Sequence, residues 1–194
     1  QGPKIRIGAF LKGEVDLKEG QFFNLSLECP LDAGNEKVVG IDEPIVIQDV
    51  RLGQKLLLDD GNIMLEATDK TESVLTTKVL VGGKLSGKKG INLKGGGLST
   101  TAFTSKDQED LTFALKYSID FVALSFVEKE EDIIHLKSFI QDKNHSVSVI
   151  AKIERAEAIN RIHEIAEVSD GLMIARGDLA LEVGLAKVPN LQKN

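Results

Sequence analysis

Residues 147–183 read VSVIAKIERAEAINRIHEIAEVSDGLMIARGDLALEV: an apolar strand, an amphipathic helix and a second apolar strand that ends in charge. Over 146–153 the two-residue period of a strand puts Val147, Val149, Ala151 and Ile153 on one face, and Ser148, Ile150, Lys152 and then Glu154 on the other. Lys152 and Glu154 therefore point the same way. Between the strands Ile159, Ile162, Ile165 and Ala166 recur at helical spacing, giving the crossover one face to lay on a sheet. Residues 171–176 return as a strand, with Gly177 and Asp178 directly at its carboxyl end. This is a βαβ unit. A right-handed crossover makes the strands parallel and brings both carboxyl ends to one sheet edge, where α/β folds keep their sites. Lys152, Glu154 and Asp178 are expected to meet there.

A lysine and two carboxylates among Val, Ile, Met and Ala are expensive to desolvate unless they are paired or bound to metal. Two carboxylates completed by phosphate oxygens and water suit a hard octahedral ion, Mg²⁺ or Mn²⁺. Lys152 would then supply positive charge where a phosphoryl group or an enolate becomes negative. A structural ion pair at a strand end and a helix-capping aspartate fit the same spacing, and spacing alone does not choose.

Upstream, residues 98–146 continue the alternation of helix and strand. Thr104 or Ser105 with Asp107 or Gln108 opens a helix in capping-box style, carried on by Leu111, Ala114 and Leu115. Residues 121–127 form an apolar run suited to burial on both faces, with Ser125 and Phe126 at its carboxyl end, and residues 129–141 give a helix with Ile133, Leu136, Phe139 and Ile140 inward. No Gly-x-Ser-x-Gly frames Ser125, so it is not read as a nucleophile. His135, His145 and His163 are read as structural.

From Phe10 to Leu93 the pattern changes to short alternating runs separated by Gly, Asp, Asn and Pro, with strands at 22–27, 55–58, 63–67 and 76–83. This is expected to be an all-β module of the size that folds by itself. Asp59-Asp60-Gly61 reads as a turn. Residues 84–97, KLSGKKGINLKGGG, interleave four lysines with glycines; such backbone can wrap phosphate, although without GxxxxGK[ST] it is no Walker loop, and composition alone favours a flexible hinge with solvated lysines.

Composition sets the bounds. The 194 residues, 42% hydrophobic and 28% charged, describe a globular chain. A net charge of −6 argues against nucleic acid as the main partner, while a local basic patch remains able to hold a nucleotide's phosphates. No apolar run approaches the roughly 20 residues of a membrane span, and no secretory leader opens the chain. Cys29, the single cysteine, excludes an internal disulfide and a thiolate zinc cluster.

Five stretches, QGPKIRIG (1–8), SGKKGINLKGGGLS (86–99), IAKIERAEAINRI (150–162), SDGLMIARGDLALEV (169–183) and KVPNLQKN (187–194), resemble the pyruvate kinase family in order and register across nearly the whole chain. The resemblance implies an α/β fold: part of a TIM (β/α)₈ barrel with an inserted all-β lid. Residues 1–8 would end a barrel strand and form a hinge, 9–93 the lid, and 94–194 the partial barrel with the metal and substrate site. It implies phosphoryl transfer from phosphoenolpyruvate to ADP, giving pyruvate and ATP in glycolysis, in the cytoplasm, by a homotetramer that engages neither nucleic acid nor membrane. Mg²⁺ or Mn²⁺ would be held by Glu154 and Asp178. Lys152 would be catalytic and touch substrate, the amides of Gly177 and Asp178 would receive the substrate carboxylate, and Arg6 and Lys89 would hold nucleotide phosphates. The K⁺ that the family uses would have its ligands outside this chain.

The chain is expected to hold the lid and barrel strands four to six, too little of the phosphate site for turnover alone. It departs from the family pattern at Lys4 (often Glu), Lys94 (often Pro) and Ala180 (commonly Gly). A Mg²⁺-dependent lyase or aldolase that stabilises enolates on a similar barrel is the alternative reading.

Overall fold

The computed structural model describes residues 5–99 and 101–193. The turn expected at Gly2 and Pro3, and Lys4, lie outside them. The described chain divides into two compact units, residues 5–99 and residues 101–193.

The first unit contains β1 (Glu14–Leu17), β2 (Phe22–Ser26), β3 (Val38–Gly40), α1 (Ile45–Asp49), β4 (Lys55–Leu58), β5 (Ile63–Lys70), β6 (Val74–Val81), β7 (Gly83–Ser86) and β8 (Ile91–Leu93). Six strands form one sheet in the order β3-β2-β6-β5-β4-β8, and β1 pairs with β7. Alternation is the cause: along β6, Leu75, Thr77 and Val79 turn inward, and the buried Thr77 hydroxyl donates to the Phe23 carbonyl at 2.6 Å. Gly82 and Gly83 make the corner into β7. A Cβ on Gly82 would stand 2.3 Å from the Leu17 carbonyl oxygen, and Gly83 has φ of 149°.

Three expectations for this unit are corrected. It is not all β: Pro44 leads into the single-turn α1, whose last carbonyls lie under the Lys70 ammonium, which donates to Ile47, Gln48 and Val50 at 3.0, 3.2 and 3.0 Å. The lysine- and glycine-rich stretch is not a hinge throughout, because β7 and β8 occupy much of it, held by β1 and β4. The strand expected at 76–83 is two strands that meet at Gly82.

The second unit contains α2 (Ser105–Ala114), β9 (Phe121–Leu124), α3 (Glu130–Asp142), β10 (Ser148–Ile153), α4 (Ala156–Asn160), α5 (Ile162–Val168), β11 (Gly171–Ile174), α6 (Arg176–Val183), a 3-10 turn (Leu185–Lys187) and α7 (Val188–Lys193). Thr104 caps α2: its hydroxyl accepts from the Asp107 amide at 3.2 Å, and its own amide donates back to the Asp107 carboxylate at 3.0 Å. The three strands form a parallel sheet in the order β11-β10-β9. β10 alternates as read from the sequence, with Val149, Ala151 and Ile153 fully buried against Ile133, Leu136, Ile140 and Ile165. Fully burying such a side chain stabilises by about 1.5–3 kcal/mol.

The strands end earlier than expected. β9 stops at Leu124 rather than Val127 because Phe126 takes a left-handed φ of 57°. β11 stops at Ile174, so Arg176 opens α6 rather than closing the strand. The crossover is two helices, broken at Arg161, rather than one. No helix among the described residues is long and apolar enough to cross a membrane.

Candidate active site

The parallel register pairs Leu124 with Ala151 and Ile153 with Ile174, so the three strands leave the sheet at one edge. Lys152 faces away from the buried side of β10, and its ammonium donates to the Ser125 hydroxyl at 2.9 Å and pairs with Glu154 at 2.6 Å. Glu154 has only 2% of its surface exposed, and its second carboxylate oxygen accepts the Phe126 amide at 3.0 Å. The left-handed turn at Phe126 is what presents that amide. Strain of this kind persists where surrounding structure over-determines it, which is typical of functional rims.

Ala175 follows β11 and leads into α6, which no side chain caps. Gly177 and Asp178 occupy the first turn of this eight-residue helix, not the end of the strand, so their amides fall among the four that no intrahelical carbonyl satisfies. A Cβ built on Gly177 would meet nothing within 4 Å, which leaves the space over it open. The structure thus brings Lys152, Glu154 and Ser125 into contact. Asp178 stands at the same edge, on the element after the neighbouring strand.

In the other unit, Arg6 and Lys89 are close neighbours. Arg6 bridges Gly90, and its guanidinium donates to the Lys88 carbonyl at 2.9 Å. Lys89 pairs with Asp59 at 2.7 Å. Asp59 and Asp60 both take positive φ, 50° and 53°, in the expected turn. The hydrogen bonds from Lys89 and Asn62 hold the Asp59 carboxyl below its ordinary range, and the bond with Asp59 raises Lys89.

Sequence reading missed one cluster. Arg155, 5% exposed, pairs with Glu182 at 3.0 Å, Glu128 at 3.3 Å and Glu157 at 3.6 Å. Glu182, 7% exposed, also accepts the Ala156 amide at 2.7 Å. Burial pushes the Glu182 carboxyl up to about 7; Arg155 and the Ala156 amide oppose the rise, and Glu157 and Glu128 add to it. The available signal was the strand period, which places Arg155 on the inward face of Ile153, where a guanidinium requires partners. The three histidines are all exposed, and His135 stacks edge-on against Phe103 at 5.5 Å.

All of residues 1–194 match the family model described as pyruvate kinase, barrel domain. The pyruvate kinase of Buchnera aphidicola subsp. Acyrthosiphon pisum is 42% identical over 196 residues, covering 100% of this chain and 41% of that protein. That of Thermotoga maritima is 41% identical, covering 99% of this chain and 41% of the relative. Pyruvate kinase 2 of Synechocystis is 44% identical, covering 100% of this chain and 33% of the relative. The chain therefore spans well under half the length of these curated relatives. By the match along its whole length and by these identities, the chain belongs to the pyruvate kinase family.

Proposed function

We propose that the protein carrying this chain is a pyruvate kinase, transferring the phosphoryl group of phosphoenolpyruvate to ADP. The observation that carries the reading is the Lys152 ammonium, held between Ser125 and the buried Glu154 at the carboxyl edge of a parallel sheet. In this reaction the bond from phosphorus to the enol oxygen breaks and a bond to a terminal phosphate oxygen of ADP forms. The enolate left behind takes a proton at carbon to become pyruvate. Lys152 offsets negative charge on the phosphoryl oxygens and then on the enolate oxygen.

Glu154 and Asp178 are the residues that would hold Mg²⁺ or Mn²⁺. The donor set fits: both are carboxylates, and each Glu154 oxygen uses one lone pair in the contacts above and keeps another. No group of three or more His, Cys, Asp or Glu able to hold a metal occurs among the described residues. Two carboxylates fill only part of an octahedral shell, which leaves positions for substrate oxygens and water. Bound there, the ion supplies Lewis-acid polarisation and charge neutralisation. The first-turn amides of Gly177 and Asp178 receive the substrate carboxylate, as uncapped helix starts favour anions.

The β-rich unit is the lid, and Arg6 and Lys89 hold the phosphates of the nucleotide, Lys89 exchanging Asp59 for them. The lid spans residues 9–93 between the hinge at 1–8 and the partial (β/α)₈ barrel at 94–194. The K⁺ ligands lie elsewhere in the longer protein, which acts as a cytoplasmic homotetramer. The test is Lys152→Met in the full-length protein. Loss of pyruvate and ATP formation from phosphoenolpyruvate and ADP, with divalent-metal binding retained, is expected; normal turnover refutes the assignment. A different product from the wild-type protein would point instead to the lyase or aldolase.

A further inference from the structure

The buried cluster around Arg155 has no part in the chemistry above, yet it ties together the three chain segments that build the site. Glu128 lies between β9 and α3, Arg155 and Glu157 lie at the exit of β10, and Glu182 lies on α6; the Arg155 guanidinium meets all three carboxylates. Glu182 adds a second tie between α6 and the β10 exit by accepting the Ala156 amide at 2.7 Å. The geometry runs in parallel with the proposed metal site. Arg155 is next to Glu154 in the chain, and Glu182 is one helical turn after Asp178, on the same face of α6.

We propose that Arg155 and Glu182 are positioning residues, whose buried pair fixes α6 against the end of β10 and so sets the separation of Glu154 and Asp178 around the cation. This rests on the reading of Glu154 and Asp178 as a shared metal site. Two features speak for a role in the site rather than in folding alone. One arginine serves three carboxylates, and its pair with Glu182 is buried on both sides, an arrangement that a well-packed apolar contact often replaces at no loss of stability. Burial also raises the carboxyl of Glu182, so ionising it to pair with Arg155 is costly there. The charged and polar groups that face it are Arg155, Glu157, Glu128 and the Ala156 amide. Outer partners of this kind typically govern metal affinity by 10–100-fold, because they hold ligands at the coordination distance.

The experiment uses the full-length protein with Mn²⁺ as probe, free Mn²⁺ being read by electron paramagnetic resonance at pH 8 and pH 6. Glu182→Gln keeps an acceptor for the Ala156 amide but removes the charge that Arg155 pairs with. Its Mn²⁺ dissociation constant is expected to rise by about tenfold or more at pH 8. At pH 6, where the wild-type carboxyl is itself largely protonated, the ratio of variant to wild type is expected to shrink. Arg155→Lys, which replaces the fork by a single ammonium, is expected to weaken Mn²⁺ at both values and carries the test if Glu182→Gln does not fold. Glu154→Gln is the control. A folded Glu182→Gln or Arg155→Lys protein that binds Mn²⁺ as tightly as wild type at pH 8, while Glu154→Gln does not bind, overturns the positioning role and leaves the metal site standing. Unchanged binding in Glu154→Gln overturns both.

Discussion

Replacing Glu182 by glutamine is expected to stabilise the fold above neutral pH, although the same change loosens the proposed metal site. Glu182 is buried, and that burial is the main reason its carboxyl titrates near 7 instead of 4.5, with Arg155 and the Ala156 amide only partly restoring it. The sign follows from linkage. A carboxyl raised in the folded state binds its proton more tightly there than in the unfolded chain. Its contribution to stability is therefore complete below pH 4.5 and is lost as the pH rises through about 7. At about 1.4 kcal/mol per pH unit, the interval from 4.5 to about 7 amounts to roughly 3 kcal/mol. Glutamine cannot ionise, and its amide oxygen still accepts the Ala156 N–H, so the variant escapes that loss. Urea denaturation followed by circular dichroism should show variant and wild type differing by a few tenths of a kcal/mol at about pH 4.5 and by up to about 3 kcal/mol, in favour of the variant, at about pH 8.5. A variant less stable than wild type at the higher pH would refute the reasoning, because the Arg155 pair would then outweigh the desolvation it offsets.

Three further outcomes follow from the second unit. Thr104→Ala removes the hydroxyl that caps α2 and is expected to cost about 1 kcal/mol by urea denaturation, whereas Thr104→Ser should cost little. Ile133→Ala, at a position with no exposed surface beneath the sheet, should cost about 2–5 kcal/mol, and Ile134→Ala on the exposed side of the same turn under 1 kcal/mol, by the same assay. Asp170 accepts the Val149 amide at 2.7 Å and pairs with Lys137 at 3.0 Å, and these contacts, the amide first, hold its carboxyl below 3.8. A lowered carboxyl contributes stability above its unfolded value and loses it as the pH falls through the folded one. Asp170→Asn should therefore be less stable than wild type at pH 7, and the gap in urea midpoint should close as the pH falls below 3.8; a gap independent of pH would exclude the ionic contribution.

How far the chain could be read ahead of its structure depended on whether the deciding contact was local. The period of two along β10 sufficed to place Lys152 beside Glu154, because both belong to one short segment. The Thr104 capping box was legible for the same reason: its partners are three residues apart. The single turn of α1 was not legible, since its carbonyls are satisfied by Lys70, more than twenty residues away in sequence, and five residues carry too little helical period to see. β7 and β8 looked like hinge for a related reason: glycine and lysine are poor strand formers, and it is the ladders to β1 and β4 that hold them extended.

Two departures from local preference stand at the sheet edge. The apolar run through Val127 predicts a longer strand, but the backbone leaves β geometry at Phe126 and its amide goes to Glu154. Arg155 follows the inward face of the strand and so stands where the local pattern calls for an apolar side chain, and its partners come from segments on either side. Both departures cost stability locally; the first supplies a donor to Glu154, and the second ties together the segments that flank it. Departures from local preference that gather at one sheet edge are expected where a site, rather than the fold, sets the local geometry. On that argument Phe126 and Arg155 belong with Lys152 and Glu154 in any mutational survey of this edge, although neither carries a group that the chemistry itself uses.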